Sequence, residues 1–543
     1  MHTDRRKLRL LRPSASAASL LAVAATLLAA ALSFGVAAPA AGKTLHMHNG
    51  GDPASLDPHK VSGDWENRIV GDLFEGLVTE DRQASPIPGM ALRWEISADG
   101  LTYTFHLRDA RWSDGEAVTA HDFVFAYRRL MDPQTAANYA YLQYPIRHAE
   151  AVNSGDAPVA QLGVAAVDDR TLRIELENPT PYFLGALTHW TAYPVPRHAH
   201  AAHGDDWVKP ENIVSNGPYK AVEWVPGSHV RAVKNDLHHA AADVDIDEVI
   251  YYVLEDESAA LRRYEAGEFD ILTEFPTDHI ERLRVERPDE LFVAPFQGLY
   301  YYVFNHNAEH LSDRRVREAL SMAVNRPVIV DKILGNGAVP AYSWVPPGMD
   351  NYGEPYFAAW KDTPYAERMT RAKQLMADAG HGPDNPLRLT LRYNTNENHK
   401  RVAIAVSGMW KALGVSTELV NTEVKVHYDD LQRNTGFDIA RAGWLADYND
   451  PDNFLNLLRS DVDYNYGRWN NAEFDRLMET ARTEADLSER AGLLHRGERL
   501  AIMDAAALPI YYYVSRNIVS KKIKGFEDNV RDIHRTRWLT KAD

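Results

Sequence analysis

The chain of 543 residues contains no cysteine. That absence excludes disulfides, thiolate metal sites, thiol catalysis and a lipid-modified N-terminal cysteine. After residue 41 no segment is long and apolar enough to span a bilayer. The sequence has no G-x-S-x-G, no H-E-x-x-H, no Walker loop and no G-x-G-x-x-G, so the common short signatures of hydrolases, zinc peptidases and nucleotide enzymes are missing. Positive charge is also scarce: 59 lysines and arginines stand against 76 aspartates and glutamates, a net charge of −17. Such a surface repels phosphate backbones, and nucleic acid is not expected as a partner.

The N-terminus differs from the rest. Arg5, Arg6, Lys7, Arg9 and Arg12 precede the apolar run SLLAVAATLLAAALSFGVAA, which ends in Ala38-Pro39-Ala40-Ala41. A cationic head, an apolar run and small residues at the end form the pattern of a secretory signal, expected over residues 1–41. Removing it leaves the remainder more acidic still. The expectation is an exported, soluble protein, free in a periplasm because it has no lipid anchor.

The remaining length suggests about three domains at roughly 150 residues each. TLHMH (44–48) alternates as a strand does, and residues 66–80 look helical. YTFHLRDARW (103–112) reads as a strand turned by Ser113-Asp114-Gly115, and VTAHDFVFAYRRLMD as a helix capped by Thr119. Further on, strands such as LRLTLRYNT and STELVNTEV alternate with the helical IAVSGMWKALG, and the chain ends with the strand LPIYYYVSRNIVS and a charged tail. This is a mixed α/β chain without a fixed-period repeat. Tyr300-Tyr301-Tyr302 and Tyr511-Tyr512-Tyr513 each put their outer two rings on one strand face, as core packing or as the wall of a binding cleft.

The best metal candidate is HAHAAHGDD, with His198, His200 and His203, which reads equally as a solvated surface helix. His238 and His239 share a loop, without the ligand count of a closed site. No metal and no cofactor is expected.

RAGWLADYNDP (441–451) sets an arginine, a tryptophan and an aspartate at a strand end. Together with SLDPHK (55–60), DLFEGL (72–77), the block at 97–133, AYLQY, NGPY (216–219) and DRRVREAL (313–320), it resembles the periplasmic oligopeptide-binding proteins of ABC peptide importers. The resemblance runs over about residues 44–540. It implies a three-lobed α/β binding-protein fold with a hinged ligand cleft between lobes I and III. Lobe I would comprise 44–74, 197–298 and 515–543, lobe II 75–196, and lobe III 299–514.

The resemblance also implies a site. Asp447 would pair with a peptide's ammonium, an ion that is costly to bury alone. Arg441 would meet the carboxylate of a short peptide and His399 that of a longer one. Peptide backbone would pair near Ser62, Gly63 and Asp64 and near Gly443 and Leu445, a mode that reads few side chains. Tyr139, Trp444, Tyr513 and Phe296 fall on aromatic cleft positions. Departures from the pattern are Gly298 and Leu445 in place of a cysteine pair, Leu334 and Gln432 (beside Arg433) in place of cations, and Ser62 and Asp64 beside the peptide's first residue. The implied function is a non-enzymatic receptor that delivers short oligopeptides to an inner-membrane ABC permease, as a monomer. The alternatives are a murein-peptide receptor of the same fold, a secreted peptidase, and a metal or haem carrier.

Overall fold

The computed structural model describes residues 42–542; the expected signal at 1–41 lies outside them. In the first strand, Thr44–Gly50, alternation buries Leu45 and Met47 on one face. His46 and His48 share the other face, where their rings bond Tyr252 and Leu254.

The strand joins an 11-stranded mixed sheet. Its order runs Val415–Thr422, Leu387–Asn394, Ile439–Leu445, Leu291–Phe304, Ala507–Val519, Ile271–Thr273, Thr44–Gly50, Glu248–Val253, His229–Lys234 and Tyr219–Val225, with Val339–Pro340 beside Ala507–Val519. The two longest members, Leu291–Phe304 and Ala507–Val519, pair antiparallel, and their register breaks between Pro295 and Leu299. A separate antiparallel sheet takes Ala91–Ile96, Thr102–Leu107, Thr171–Glu175 and Val164–Asp168 in that order. No helix among the described residues is long and apolar enough to cross a membrane.

Both tyrosine runs sit in the long strand pair. Tyr300 stacks on Tyr511 with centroids 4.5 Å apart and, with Tyr302, enters one core cluster. Tyr301 and Tyr512 enter the cluster on the opposite face. Five of the six are core; Tyr513 alone of the run reaches the cavity described below.

Three local expectations need correction. The first helix among the described residues is Asp64–Leu73 and does not continue to residue 80. The backbone of Gly217, from NGPY, lies against its end: the Gly217 N–H takes the Leu73 carbonyl at 2.9 Å, and a Cβ there would come within 2.6 Å of Leu73. The strand expected at 103–112 stops at Leu107. The charged C-terminal segment is not a free tail. Lys541 Nζ lies 2.6 Å from Asp270 and 2.7 Å from the Thr44 carbonyl. The buried Arg535 meets Glu80 and Asn67. Opposite charges within the fold absorb a stretch whose composition alone suggests solvent.

Candidate functional site

Strand Ile439–Leu445 is paired along its length with Leu291–Phe304, from Ile439 opposite Phe304 to Leu445 opposite Gly298. Its other edge meets Leu387–Asn394 only at Ile439 and Ala440. Among the described residues, 441–445 therefore present one edge without a strand partner. That edge borders a cavity of about 430 Å³, and Asp64, Phe296, Arg441, Gly443, Trp444, Leu445 and Tyr513 all line it. An open edge facing a cavity can accept an extended chain through main-chain hydrogen bonds.

Gly443 permits the close approach this needs. A Cβ there would lie 2.8 Å from the Tyr513 hydroxyl and 3.0 Å from Arg441 Nη2. Gly443→Ala should displace Arg441 and weaken binding of the ligand about tenfold, roughly 1.4 kcal/mol. Calorimetric titration checks it, with melting temperature as the control for folding.

Arg441 is buried. Its guanidinium donates to Asn394 Oδ1 at 3.2 Å, the Tyr428 hydroxyl at 3.1 Å and the Tyr513 hydroxyl at 2.9 Å, and lies 5.0 Å above the Tyr300 ring. None of these partners is a carboxylate. A buried guanidinium held only by neutral acceptors is poised for an incoming anion. His399 flanks the same Tyr300 ring, centroids 5.5 Å apart. Burial first, then Arg441 and His427, push its pKa down to about 3, so its imidazole is neutral at physiological pH.

Asp447 follows the strand. The Tyr141 hydroxyl donates to its Oδ2 at 3.3 Å, and Asn453, which also takes the Trp444 indole N–H at 2.7 Å, bonds the same carboxylate. Arg531 is near, but its Nη2 donates to the Asp447 main-chain oxygen at 2.8 Å. No ion pair reaches the Asp447 side chain among the described residues. Burial raises its pKa to about 6, and Asp64 adds to the rise. The neighbouring carboxylates have other work. Asp450 forms a buried fork with Arg490 at 2.8 and 2.9 Å and accepts the Asp452 N–H. Asp447 is thus not the residue that holds the following helix.

The remaining expected positions divide. Asp64 lines the cavity; its carboxyl, crowded by the walls though open to solvent, is raised by desolvation. Tyr139 packs on Tyr141 at 5.7 Å, next to Asp447. Asp447, His399, Tyr139 and Ser62 do not line the cavity itself. The N–H groups of Ser62 and Gly63 are already spent on buried Glu66, at 2.7 and 2.9 Å. Leu334 is in the core, and Gln432 is exposed beside Arg433, which pairs with Asp430. Gly298 does face Leu445, whose side chain fills the space a Cβ would need.

Sequence reasoning missed Arg68, Tyr428, Arg516 and Arg531 in the cavity wall. No local motif marks them. It also missed Glu75, which joins His238 and His239 to put three ligand-type atoms within 4.8 Å of one another. Arg537 pairs with the other Glu75 oxygen, and Arg108 donates to His239 Nδ1 at 3.0 Å. An arginine can only donate, so the neutral imidazole carries its proton on Nε2 and gives it to Glu75 at 2.7 Å. The group is a satisfied hydrogen-bond network. Of the other histidines, His198 bonds Asp114 at 2.8 Å and His200 packs edge-on to Phe125.

Residues 85–466 match the family model for bacterial extracellular solute-binding proteins, family 5. The chain belongs to that family. The periplasmic oligopeptide-binding protein OppA of Salmonella typhimurium is 40% identical over 491 residues, 89% of this chain and 90% of its own. The periplasmic murein peptide-binding protein MppA of Escherichia coli is 38% identical over 505 residues, 92% and 93% of the two chains. The crystal structure of Haemophilus influenzae OppA with the peptide RPPGFSPFR is 36% identical and superposes with a TM-score of 0.79, covering 92% of this chain and 99% of that one. The mixed α/β architecture is that of the family's periplasmic solute-binding proteins.

Proposed function

We propose that this family 5 protein is a periplasmic receptor that captures short oligopeptides and passes them to an ABC permease without altering them. One observation carries the reading. Along a single open strand edge, a buried arginine without an acid partner stands at one end, and an aspartate whose carboxylate bonds no cation stands just past the other. A free peptide carries the complementary ammonium and carboxylate and can pair its backbone with the edge between them.

The lobes proposed are 44–74 with 197–298 and 515–543, then 75–196, then 299–514. The register break at Pro295–Leu299 supports a hinge there, and the separate four-stranded sheet lies wholly within the second lobe. Closure by such a hinge would remove water from both charged ends. The molecule would act as a monomer.

Titration with two- to five-residue peptides, free and N-acetylated, tests the reading. Binding of free peptides that is lost on acetylation supports it, and equal binding of both forms rejects amine capture. Peptide recovered intact after incubation separates a receptor from a peptidase. The Asp447 carboxyl adds a pH signature. Its pKa stands near 6 when empty, and an ammonium partner must lower it, so binding releases a proton below that pH. Affinity should fall as pH drops below about 6, by up to about tenfold per unit. N-acetylated peptides should show no such slope.

A murein-peptide receptor is the second reading. Its extra carboxylates need more cations than Arg441, and two more line the cavity, Arg68 and Arg516, bonded only to neutral acceptors. Comparing a carboxylate-rich murein tripeptide with an ordinary tripeptide separates the two.

A further inference from the structure

Arg531 lies in the C-terminal segment, 84 residues from Asp447, and lines the ligand cavity. Its guanidinium makes two bonds. Nη2 donates to the main-chain oxygen of Asp447 at 2.8 Å, and Nη1 donates to Thr188 Oγ1 at 3.1 Å. Thr188 belongs to the segment that also provides Tyr182, whose ring stacks on Tyr448 at 4.6 Å and 7°. One guanidinium therefore ties the loop carrying Asp447 to the segment that carries Tyr182 and Thr188. Its Nε is buried without an acceptor. An unsatisfied buried donor is a cost that the arginine's placement must offset.

The choice of acceptor is informative. A guanidinium this close to an aspartate ordinarily forms a fork on the carboxylate. Here it grips the backbone and leaves the carboxylate to Tyr141 and Asn453, both neutral. Had Arg531 taken the carboxylate, a ligand's ammonium would have to displace it.

We propose that Arg531 is a positioning residue for ligand capture: it clamps the Asp447 loop against Thr188 and holds a positive charge beside the carboxylate without neutralising it. This rests on the amine-capture reading above. The clamp fixes where the carboxylate points. After the Asn453 hydrogen bond, the charge is the next influence that favours the ionised Asp447 against burial and Asp64, which favour its protonated form. Among the described residues, the groups that face Asp447 are Asp64 from helix Asp64–Leu73, Tyr139 and Tyr141, then Tyr448, Asn453 and Tyr464 from its own side, and Arg531. Arg531 is the one cation among them. Arg531 is itself faced by Glu80, Arg535 and Tyr193, and by His189, which burial keeps neutral.

The test is a pH series of titrations, from pH 5 to 8, of one free tripeptide and its N-acetylated form. Wild type, Arg531→Gln, Arg531→Lys and Thr188→Val are compared. Arg531→Gln should weaken the free peptide at least tenfold at pH 7 and move the midpoint of its pH dependence upward, leaving the acetylated form unchanged. Arg531→Lys should restore the midpoint but not the full affinity, since it keeps the charge and loses the two-point grip. Thr188→Val, which loses one anchor and keeps the arginine, should weaken the free peptide several-fold with the midpoint in place. It also carries the test if Arg531→Gln does not fold. An Arg531→Gln protein with wild-type affinity and midpoint overturns the proposal. So does a variant that loses affinity for both peptide forms equally with the midpoint unmoved, the mark of a merely structural residue. If Thr188→Val has to stand alone, wild-type affinity overturns the clamp. Should wild type itself not prefer the free peptide, the amine-capture reading fails first and the inference falls with it.

Discussion

Replacing Asp447 by asparagine is expected to cost roughly 2–5 kcal/mol of affinity for a peptide with a free amino terminus at neutral pH. The substitution keeps the shape; its remaining oxygen can accept from Asn453, and its amide N–H can donate to the Tyr141 hydroxyl, which turns to accept. What is lost is the charge that offsets a desolvated ammonium. The empty protein should respond the other way. The folded carboxyl sits near pH 6, above its value in an unfolded chain. The folded state therefore binds the extra proton, and stability falls as pH rises through that window. At pH 7 the charged Asp447 weighs against the fold, so Asp447→Asn should melt at the same temperature or higher. Lost affinity with held stability marks a residue kept for ligand. Unchanged affinity for free peptides would sink amine capture, and a lower melting temperature would assign Asp447 to the fold.

Much of this frame is legible in the sequence because local rules and tertiary packing agree. Thr119 precedes helix Ala120–Met131 as expected, and its N–H donates to Asp122. LRLTLRYNT and STELVNTEV become paired parallel strands with their helix between them. RAGWL closes the strand beside the cavity. What escapes is set by distance along the chain. That Asp450 is engaged within the fold is decided by Arg490, 40 residues beyond it. Arg531 and Arg535 look like tail charges until Asp447, Glu80 and Asn67 come to meet them. Periodicity carries no information about such partners. The same holds for the helix end at Leu73, set by Gly217 rather than by any breaker after it.

Arg441 supports the second large effect. Arg441→Met keeps much of the side-chain volume and removes the charge. The guanidinium donates to a buried asparagine and two tyrosine hydroxyls and meets no acid. Tyr428 and Tyr513 line the cavity, so water can replace the arginine at their hydroxyls. A buried cation without a counter-ion costs the empty protein more than an apolar side chain of similar size. The variant should therefore hold or raise the melting temperature. If Arg441 meets the carboxylate of the shortest peptides, as proposed, it should lose about 2–5 kcal/mol of affinity for them. Peptides amidated at the C-terminus bring no anion and should bind wild type and variant alike. Longer peptides, whose carboxylate passes beyond Arg441, should fall between. This length and charge dependence separates a ligand contact from a scaffold residue, since a scaffold defect distorts the cleft for every peptide. A uniform loss across acid and amide, short and long, would place Arg441 in the architecture and leave carboxylate capture to Arg68 or Arg516 on the cavity wall.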